Sequence, residues 1–377
     1  MSETTDVLAA MSALCERGER MALATIVGVR GSTYRRPGAR LLVPERSEIV
    51  GNLSGGCLEG EVEQVARDVI ASGEPRVAFY DLTADDEVVW GWGLGCNGAI
   101  EVFVEPGERA AEVAEALRLT IERERAVALA TVLESGVDGV ARGARIVVDA
   151  DGGRAGGLGD ASVDAAVERV CRHALLSGAS QTERVALDRG DVRVFVEAIL
   201  PPRRVLVCGA GHDAPPVVRQ AAALGWRVAV CDDRPAFLDA DRFPDAHELV
   251  DVQPADAAVA ARVDDRTYAV VMSHNYLRDR DYLRGLLASD AAYIGMLGPK
   301  ARLERLLDDL ARDGVRPTER DRARLHGPAG LDLGAEGPDE IAAAIVAEVL
   351  AVSRGRGAGF LRARSGPIHD RAGQTVA

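Results

Sequence analysis

Apolar positions along this chain follow two spacings, one typical of helices and one typical of strands. Val62, Val65, Ala66 and Val69 recur on one face of a helix. Runs of β-branched residues bounded by Gly and Pro indicate strands. The start of the chain thus has the order of elements of an α/β unit, with helices predicted at 6–16 and 57–71 and strands at 21–29, 40–43, 76–80 and 99–105.

The same pattern returns further along the chain. The segment VEQVARDVIASG at 62–73 matches VERVCRHALLSG at 167–178, a shift of 167 − 62 = 105 residues, and three shorter segments match in the same order. We therefore expect two copies of one unit, at about 20–105 and 126–197, of which the second is degenerate. The copies differ mainly in their loops, which reflects either drift or a chemical role reserved for the first copy.

A second kind of α/β pattern begins at the strand predicted for residues 204–208. This strand leads into Gly209-Ala-Gly211-His-Asp-Ala214, then a helix, then a strand that ends at Asp232. Gly209 permits a tight turn, and Gly211 lets the backbone approach a pyrophosphate. Ala214 permits close helix packing, and Asp232 stands where a ribose hydroxyl is bonded. The spacing predicts a Rossmann-like nucleotide-binding domain.

Four more residues extend this candidate nucleotide site. His212 lies in the glycine motif, Arg234 follows the second strand, and His274 and Asn275 follow a third predicted strand. Ligands of open parallel sheets bind at the carboxyl ends of the strands, where these residues are expected. Because Arg234 is suited to a 2′-phosphate, the pattern leaves both NAD and NADP open as cofactors. A domain that holds another nucleotide, or none, is the alternative.

These patterns divide the chain into domains. Residues 1–198 form an N-terminal α/β domain with an internal degenerate repeat, and residues 199–203, which include two prolines, form a linker. Residues 204–352 form the Rossmann-like parallel-sheet domain. The Gly- and Arg-rich tail, 353–377, is expected to be mobile. The predicted fold class is α/β in two domains.

Composition and charge narrow the class of protein. The 377 residues carry a net charge of −14 at pH 7, which opposes binding to a nucleic-acid backbone. No apolar run is long enough to cross a bilayer, and the N-terminus lacks a signal-peptide pattern, so we expect a cytoplasmic protein without membrane contact. The six cysteines are scattered along the chain and are expected to be reduced thiols.

Candidate chemistry is concentrated in the loops of the first copy. Cys57 follows Gly55 and Gly56 at the predicted start of a helix, where the positive helix end and free N–H groups favour a thiolate. Cys96, followed by Asn97, lies in a glycine-rich loop that a ligand can approach closely. Two accessible thiols of this kind are candidate nucleophiles or soft metal ligands.

Arg35 and Arg36 lie in a third loop of the first copy, next to Pro37. Guanidinium groups make bidentate contacts with phosphates and oxygen-rich heterocycles, so both are candidates for ligand binding. Solvated surface charge is the alternative interpretation of both. Glu59 is explained by its position alone, because an acid in the first turn of a helix is favoured there.

Several motifs together resemble the XdhC/CoxI family, whose members are accessory factors for xanthine dehydrogenase and related molybdenum hydroxylases. They cover nearly the whole chain: RGSTYRRPGAR at 30–40, SGGCLE at 54–59, GAGH at 209–212, SHN at 273–275, YIGMLG at 293–298 and GLDLGAE at 330–336. The resemblance implies an N-terminal domain of XdhC type followed by a Rossmann domain. It also implies binding of the molybdenum cofactor (molybdopterin), protection during its sulfuration, and delivery to the apo-enzyme.

The resemblance places the cofactor, with its molybdenum, at Cys57 and Cys96, near the two arginines. The chain departs from the common family pattern at Asn97, where many members have Gly, and at Tyr34, where many have Pro. These departures bear on the partner enzyme more than on the cofactor. The implied partner is a molybdenum hydroxylase such as xanthine dehydrogenase, with a cysteine desulfurase and a second copy of the chain, in a homodimer, as further candidates.

The leading hypothesis is a cofactor chaperone rather than a turnover enzyme. Two other functions are compatible with the sequence. The glycine motif also fits an NAD(P)-dependent oxidoreductase whose nucleotide takes part in a redox reaction. A docking module that recruits the hydroxylase without handling the cofactor is the third hypothesis.

Overall fold

The protein is described here by a computed structural model that covers residues 2–31, 33–56, 58–81 and 98–365. They form two compact units, built mainly from residues 3–201 and 202–363. The predicted α/β fold class is confirmed. Among the described residues, no helix is long and apolar enough to span a bilayer.

The N-terminal unit consists of two repeats with the same order of elements. The first contains α1 (Ser2–Glu16), β1 (Met21–Gly31), β2 (Arg40–Pro44), β3 (Val50–Gly51), α2 (Glu59–Ser72), β4 (Arg76–Asp81) and β5 (Gly98–Pro106). The second contains α3 (Gly107–Arg123), β6 (Val127–Ser135), β7 (Arg145–Asp149), β8 (Arg154–Gly157), α4 (Ala161–Ser177), β9 (Gln181–Leu187) and β10 (Gly190–Ile199). The antiparallel sheets have the matching orders β3-β2-β1-β5-β4 and β8-β7-β6-β10-β9. Each repeat therefore includes a leading helix that precedes the segments matched in sequence.

Alternate residues of the central strands face opposite sides of each sheet, as strand geometry requires. In β1, Ala22 and Ile26 pack against α2, whereas Leu23 joins a cluster with α1 and α3. In β6, Ala130 packs against α4, whereas Leu129 faces the cluster that Leu23 also joins. The two sheets therefore bury their second faces in a shared layer.

Two buried ion pairs join the repeats crosswise. Arg40 of β2 pairs with Glu197 of β10, and Arg145 of β7 pairs with Glu105 of β5. The arginines occupy matching positions, since 145 − 40 = 105, and each glutamate ends a VFVE segment. A side chain at Gly38 would meet Glu197 at 2.9 Å, so the pair also depends on a glycine. Each cation of one repeat thus requires a carboxylate of the other.

Apolar and polar contacts surround these pairs. Val27 and Phe103 of the first repeat pack with Leu133 and Phe195 of the second. The Thr182 hydroxyl donates a hydrogen bond to the carbonyl of Val27 at 2.5 Å. The repeats therefore share one core.

The C-terminal unit is a doubly wound parallel sheet. Its elements are β11 (Arg204–Cys208), α5 (Ala214–Ala223), β12 (Arg227–Asp232), β13 (Glu248–Asp251), α6 (Ala257–Ala260), β14 (Thr267–Val271), α7 (Tyr276–Leu287), β15 (Tyr293–Met296), α8 (Lys300–Arg312), α9 (Glu319–Arg324), β16 (Leu325–His326) and α10 (Pro338–Ser353). The strand order is β13-β12-β11-β14-β15-β16. The order reverses between β11 and β14, which is where open sheets of this kind bind ligands.

Replacing Arg145 by Met leaves Glu105 buried without its cation. We expect the free energy of unfolding, measured by urea denaturation, to fall by about 3–5 kcal/mol. The double variant with Glu105→Leu should recover most of this loss, because it leaves no buried charge. Arg118→Met removes exposed ion pairs on α3 and serves as the control, with an expected cost below about 1 kcal/mol. A cost for Arg145→Met no larger than that of the control would contradict a structural role for the crossed pairs.

Candidate functional site

Two loops of the first repeat meet at one end of its sheet, where the residues that flank 82–97 also lie. The loop that joins β1 to β2 starts after Gly31, which is paired with Gly98, the first residue of β5. On the other side of β5, Asp81 is paired with Ala99. Asp81 and Gly98, the residues that flank 82–97, therefore lie at the end of the sheet from which the β1–β2 loop starts.

The β1–β2 loop also touches the loop that precedes α2, residues 52–58, which we call the glycine loop. The ring of Tyr34 lies against Gly55, where an added methyl group would be 3.6 Å from the ring. Gly55 has a φ of 83°, a conformation that favours glycine. The Tyr34 side chain is 64% exposed, so an aromatic face is presented to solvent beside the glycine loop.

The two arginines predicted at this site follow Tyr34 in the β1–β2 loop. Arg35 forms an ion pair with Glu3 of α1, and its side chain is 29% exposed. Arg36 is partly buried and has a partner within the protein. The guanidinium group of Arg35 is therefore anchored to the first repeat.

The glycine loop is folded around the carboxylate of Glu59. The two carboxylate oxygens accept hydrogen bonds of 2.5–3.1 Å from the Ser54 hydroxyl and from the N–H groups of Leu53, Ser54, Gly56 and Leu58. Burial by itself raises the pKa of Glu59, but these donors lower the pKa to about 2. The carboxylate is thus ionised and occupies the position in which such a loop otherwise binds an anion.

This arrangement corrects one expectation from the sequence. Gly56 and Leu58 flank residue 57, and their N–H groups are not free, because both donate to Glu59. The prediction that free N–H groups favour a thiolate at Cys57 is therefore wrong for these two groups. The charge of Glu59 opposes a second negative charge nearby. This role of Glu59 is not predicted by its position in the helix, and the serine five residues earlier is the signal for it.

The second repeat keeps only part of this loop. Asp164 occupies the position that matches Glu59, since 164 − 59 = 105, and accepts the N–H of Leu158 at 2.7 Å. Asp160 caps α4 by accepting N–H groups of its first turn. The loop of the second repeat therefore stabilises the start of α4, and the two repeats differ at this end of their sheets.

Cys57, Cys96 and Asn97 lie outside the described residues, so their roles stay predictions. Of the cysteines that the structure describes, Cys15 is exposed, whereas Cys171, Cys208 and Cys231 are buried. Within the described ranges, no three His, Cys, Asp or Glu side chains are grouped as a metal site.

In the C-terminal unit, the loops after β11 and β14 lie against each other at the switch point. A side chain at Gly209 would come within 2.6 Å of the Cα atom of Ser273, so only glycine fits there. A methyl group at Gly211 would lie 3.6 Å from the ring of His274. His274 Nε2 is 2.9 Å from the carboxylate of Asp213, a residue that the sequence analysis did not single out.

The other residues predicted to bind the nucleotide lie at different positions in the loops and helices of this unit. His212 is exposed, and Ala214 is buried as the first residue of α5. Asn275 caps α7 by accepting two N–H groups of its first turn at 3.1 Å. His274 has a φ of 56°, a strained conformation for a side-chain-bearing residue and one that is enriched at functional sites.

The carboxylate of Asp232 is committed to contacts inside the protein. It is fully buried and accepts the N–H of Ala210 at 2.7 Å. Arg234 donates its backbone N–H at 3.0 Å and both Nε and Nη2 at 2.8 Å. Burial alone raises the pKa of Asp232, but these bonds hold the pKa below its ordinary value.

The pKa of Glu59 predicts how its contribution to stability depends on pH. The pKa falls from 4.5 to about 2 on folding, so Glu59 stabilises the fold above pH 4.5 and loses this effect as the pH falls toward 2. We expect the gap in the free energy of unfolding between the wild type and Glu59→Gln to be constant at neutral pH and to shrink over that window. Glu63→Gln, which removes an exposed ion pair on α2, is the control. A gap that does not change with pH would contradict the caged carboxylate.

Comparison with family models covers both units of this chain. The model of the XdhC and CoxI family matches residues 14–81 and 120–186. The model of the XdhC Rossmann domain matches residues 205–349.

The chain is also similar to individual proteins. A Bacillus subtilis (strain 168) protein described as a probable subunit of xanthine dehydrogenase is 32% identical over 344 residues, which is 90% of this chain and 95% of that protein. The uncharacterized protein YqeB of Escherichia coli (strain K12) is 31% identical over 252 residues, 64% of this chain and 46% of its own length. A crystal structure described as a xanthine dehydrogenase from Bacillus halodurans superposes with a TM-score of 0.73 at 28% identity, over 93% of this chain and 96% of that one. The chain belongs to the XdhC and CoxI family.

Proposed function

We propose that this protein is an accessory factor that binds the molybdenum cofactor as cargo, assists its sulfuration and delivers it to a molybdenum hydroxylase such as xanthine dehydrogenase. The observation that carries the proposal is that the β1–β2 loop and the glycine loop meet at one end of the first sheet. Asp81 and Gly98, which flank residues 82–97, lie at the same end. Family membership, and the name of the Bacillus subtilis relative, support a xanthine dehydrogenase as the enzyme served.

The thiols of Cys57 and Cys96 are the proposed ligands of the cargo's metal. In the sequence, Cys57 belongs to the glycine loop, and Cys96 belongs to the segment 82–97 whose flanking residues lie at the same end of the sheet. Thiolate sulfur is a soft ligand suited to a molybdenum centre. The negative charge of Glu59 opposes ionisation of a nearby thiol before the cargo binds. The thiol therefore loses its proton when the metal binds, so binding of the cargo becomes tighter as the pH rises.

The organic part of the cargo is assigned to the β1–β2 loop. A pterin is planar, and the exposed ring of Tyr34 offers a flat apolar surface beside Gly55. Arg35 and Arg36 are suited to the phosphate of the cofactor, because a guanidinium presents several N–H donors in a planar fork. The ion pair with Glu3 holds Arg35 in the loop while further donors remain for a ligand.

Sulfuration requires a sulfur donor and a receiving enzyme. We propose a cysteine desulfurase as the donor and the apo-hydroxylase as the receiver, with the protein keeping the cofactor shielded between the two. The asymmetry of the repeats supports one cargo for each chain, since the matched loop of the second repeat caps a helix instead.

A binding measurement tests the thiol ligands. Molybdenum cofactor released from a molybdenum hydroxylase is mixed with the purified full chain under anaerobic conditions, and retained molybdenum is measured after ultrafiltration. We expect the double variant Cys57→Ala, Cys96→Ala to bind at least about tenfold more weakly, a loss of about 1.4 kcal/mol or more. Cys15→Ala, at an exposed cysteine of α1, is the matched control. Equal binding by the double variant and the wild type would exclude thiol ligation.

The aromatic surface is tested separately with the same cargo. Tyr34→Ala removes the ring, and we expect cofactor affinity to fall by about 1 kcal/mol, roughly fivefold, whereas Tyr34→Phe should keep it. Phe360→Ala, at an exposed aromatic residue of the C-terminal unit, controls for general surface effects. If Tyr34→Ala binds as the wild type does, the ring does not contact the pterin.

A further inference from the structure

The C-terminal unit has a nucleotide-type crevice in which the usual ribose acceptor is already occupied. In dinucleotide-binding sheets, an acid at the end of the second strand accepts the ribose 2′-hydroxyl. Here that acid is Asp232, and four donors fill its two oxygens, one from Ala210 and three from Arg234. A carboxylate has about four acceptor positions, so none is left for a hydroxyl. The carboxylate is also fully buried.

Arg234 takes over the position that faces a ribose. Asp232 holds it through Nε and Nη2, so the second terminal nitrogen, Nη1, points away from the carboxylate. The guanidinium carbon lies 4.0 Å above the centre of the Phe237 ring, which fixes the plane of the group. The side chain is 29% exposed. A guanidinium held on two sides and partly open to solvent is suited to a phosphate.

A second arginine joins this group to the glycine motif. Arg242 donates to the carbonyl oxygens of Ala210 and Gly211 at 3.1 and 3.2 Å, and to that of Phe237 at 2.7 Å. Its guanidinium lies 5.4 Å from the centre of the Phe237 ring, on which Arg234 also stacks. Two cations and an aromatic ring thus border the loop where a pyrophosphate passes in sheets of this type.

We propose that the C-terminal unit binds an adenine dinucleotide that carries a phosphate on the ribose 2′-oxygen, the chemistry of NADP(H), and that Arg234 selects it against NAD(H). Asp232 acts as a positioning residue, since its bonds orient the guanidinium toward the ligand. The inference concerns a nucleotide site in the second unit and goes beyond the handling of the molybdenum cofactor.

Calorimetry with the full chain, free of cargo, tests this site. We expect NADP⁺ to bind roughly tenfold or more tightly than NAD⁺, because the charged phosphate contact exists only in the first complex. Adenosine 2′,5′-bisphosphate should bind, and adenosine 3′,5′-bisphosphate should bind more weakly. Equal affinities for NAD⁺ and NADP⁺, or no binding of either, would overturn the proposal, as would a preference for the 3′,5′-bisphosphate.

The Arg234→Ala variant distinguishes a role of Arg234 in ligand selection from a purely structural role. We expect it to lose roughly tenfold in affinity for NADP⁺ while NAD⁺ binding is kept or improved, since Asp232 regains acceptor capacity. Arg219→Ala, an exposed arginine of α5 paired with Asp339, is the charge-matched control. Weaker binding of both dinucleotides would show that Arg234 is only structural. Should Arg234→Ala fail to fold, Arg234→Lys keeps a cation without the fork and should lose part of the preference for NADP⁺; an unchanged preference in that variant would also overturn the proposal.

Discussion

The crossed ion pairs between the repeats are the interaction on which the N-terminal unit depends. Arg40 and Arg145 are buried, and each forms its buried ion pair with a carboxylate of the other repeat, Glu197 and Glu105. A buried charge without a partner costs several kcal/mol, so neither repeat is expected to be stable without the other. The two loops at the end of the first sheet are therefore attached to a scaffold that both repeats stabilise.

This scaffold is symmetric, but its loops are not. At matching positions, Glu59 gathers the N–H groups of the glycine loop, whereas Asp164 accepts the single N–H of Leu158. Residues that both repeats keep serve the shared core, and residues that only the first repeat has surround Tyr34 and Gly55. The two copies within one chain thus distinguish positions kept for the shared core from the candidate positions of the site.

Regular elements are predictable from the sequence where burial determines residue type. β11 and β12 have the bounds that the pattern predicts, because both are mostly buried apolar strands that end at a glycine turn or at an acid. The leading helices α1 and α3 escape the repeat comparison, since many apolar residues satisfy a helix face equally well. The partners of Glu59 and Asp232 could not be predicted, because loop geometry, rather than residue type, decides which N–H groups and guanidinium groups reach a carboxylate.

The caged Glu59 also determines which backbone groups the glycine loop turns outward. In a trans peptide the carbonyl points opposite to the N–H, so the inward N–H group of Gly56 turns the carbonyl of the exposed Gly55 outward. The exposed part of the loop therefore offers an acceptor. A small oxyanion such as molybdate, sulfate or phosphate meets no donor from this peptide, whereas a ring N–H or amino group of the pterin in the proposed cargo would find an oxygen atom to bond.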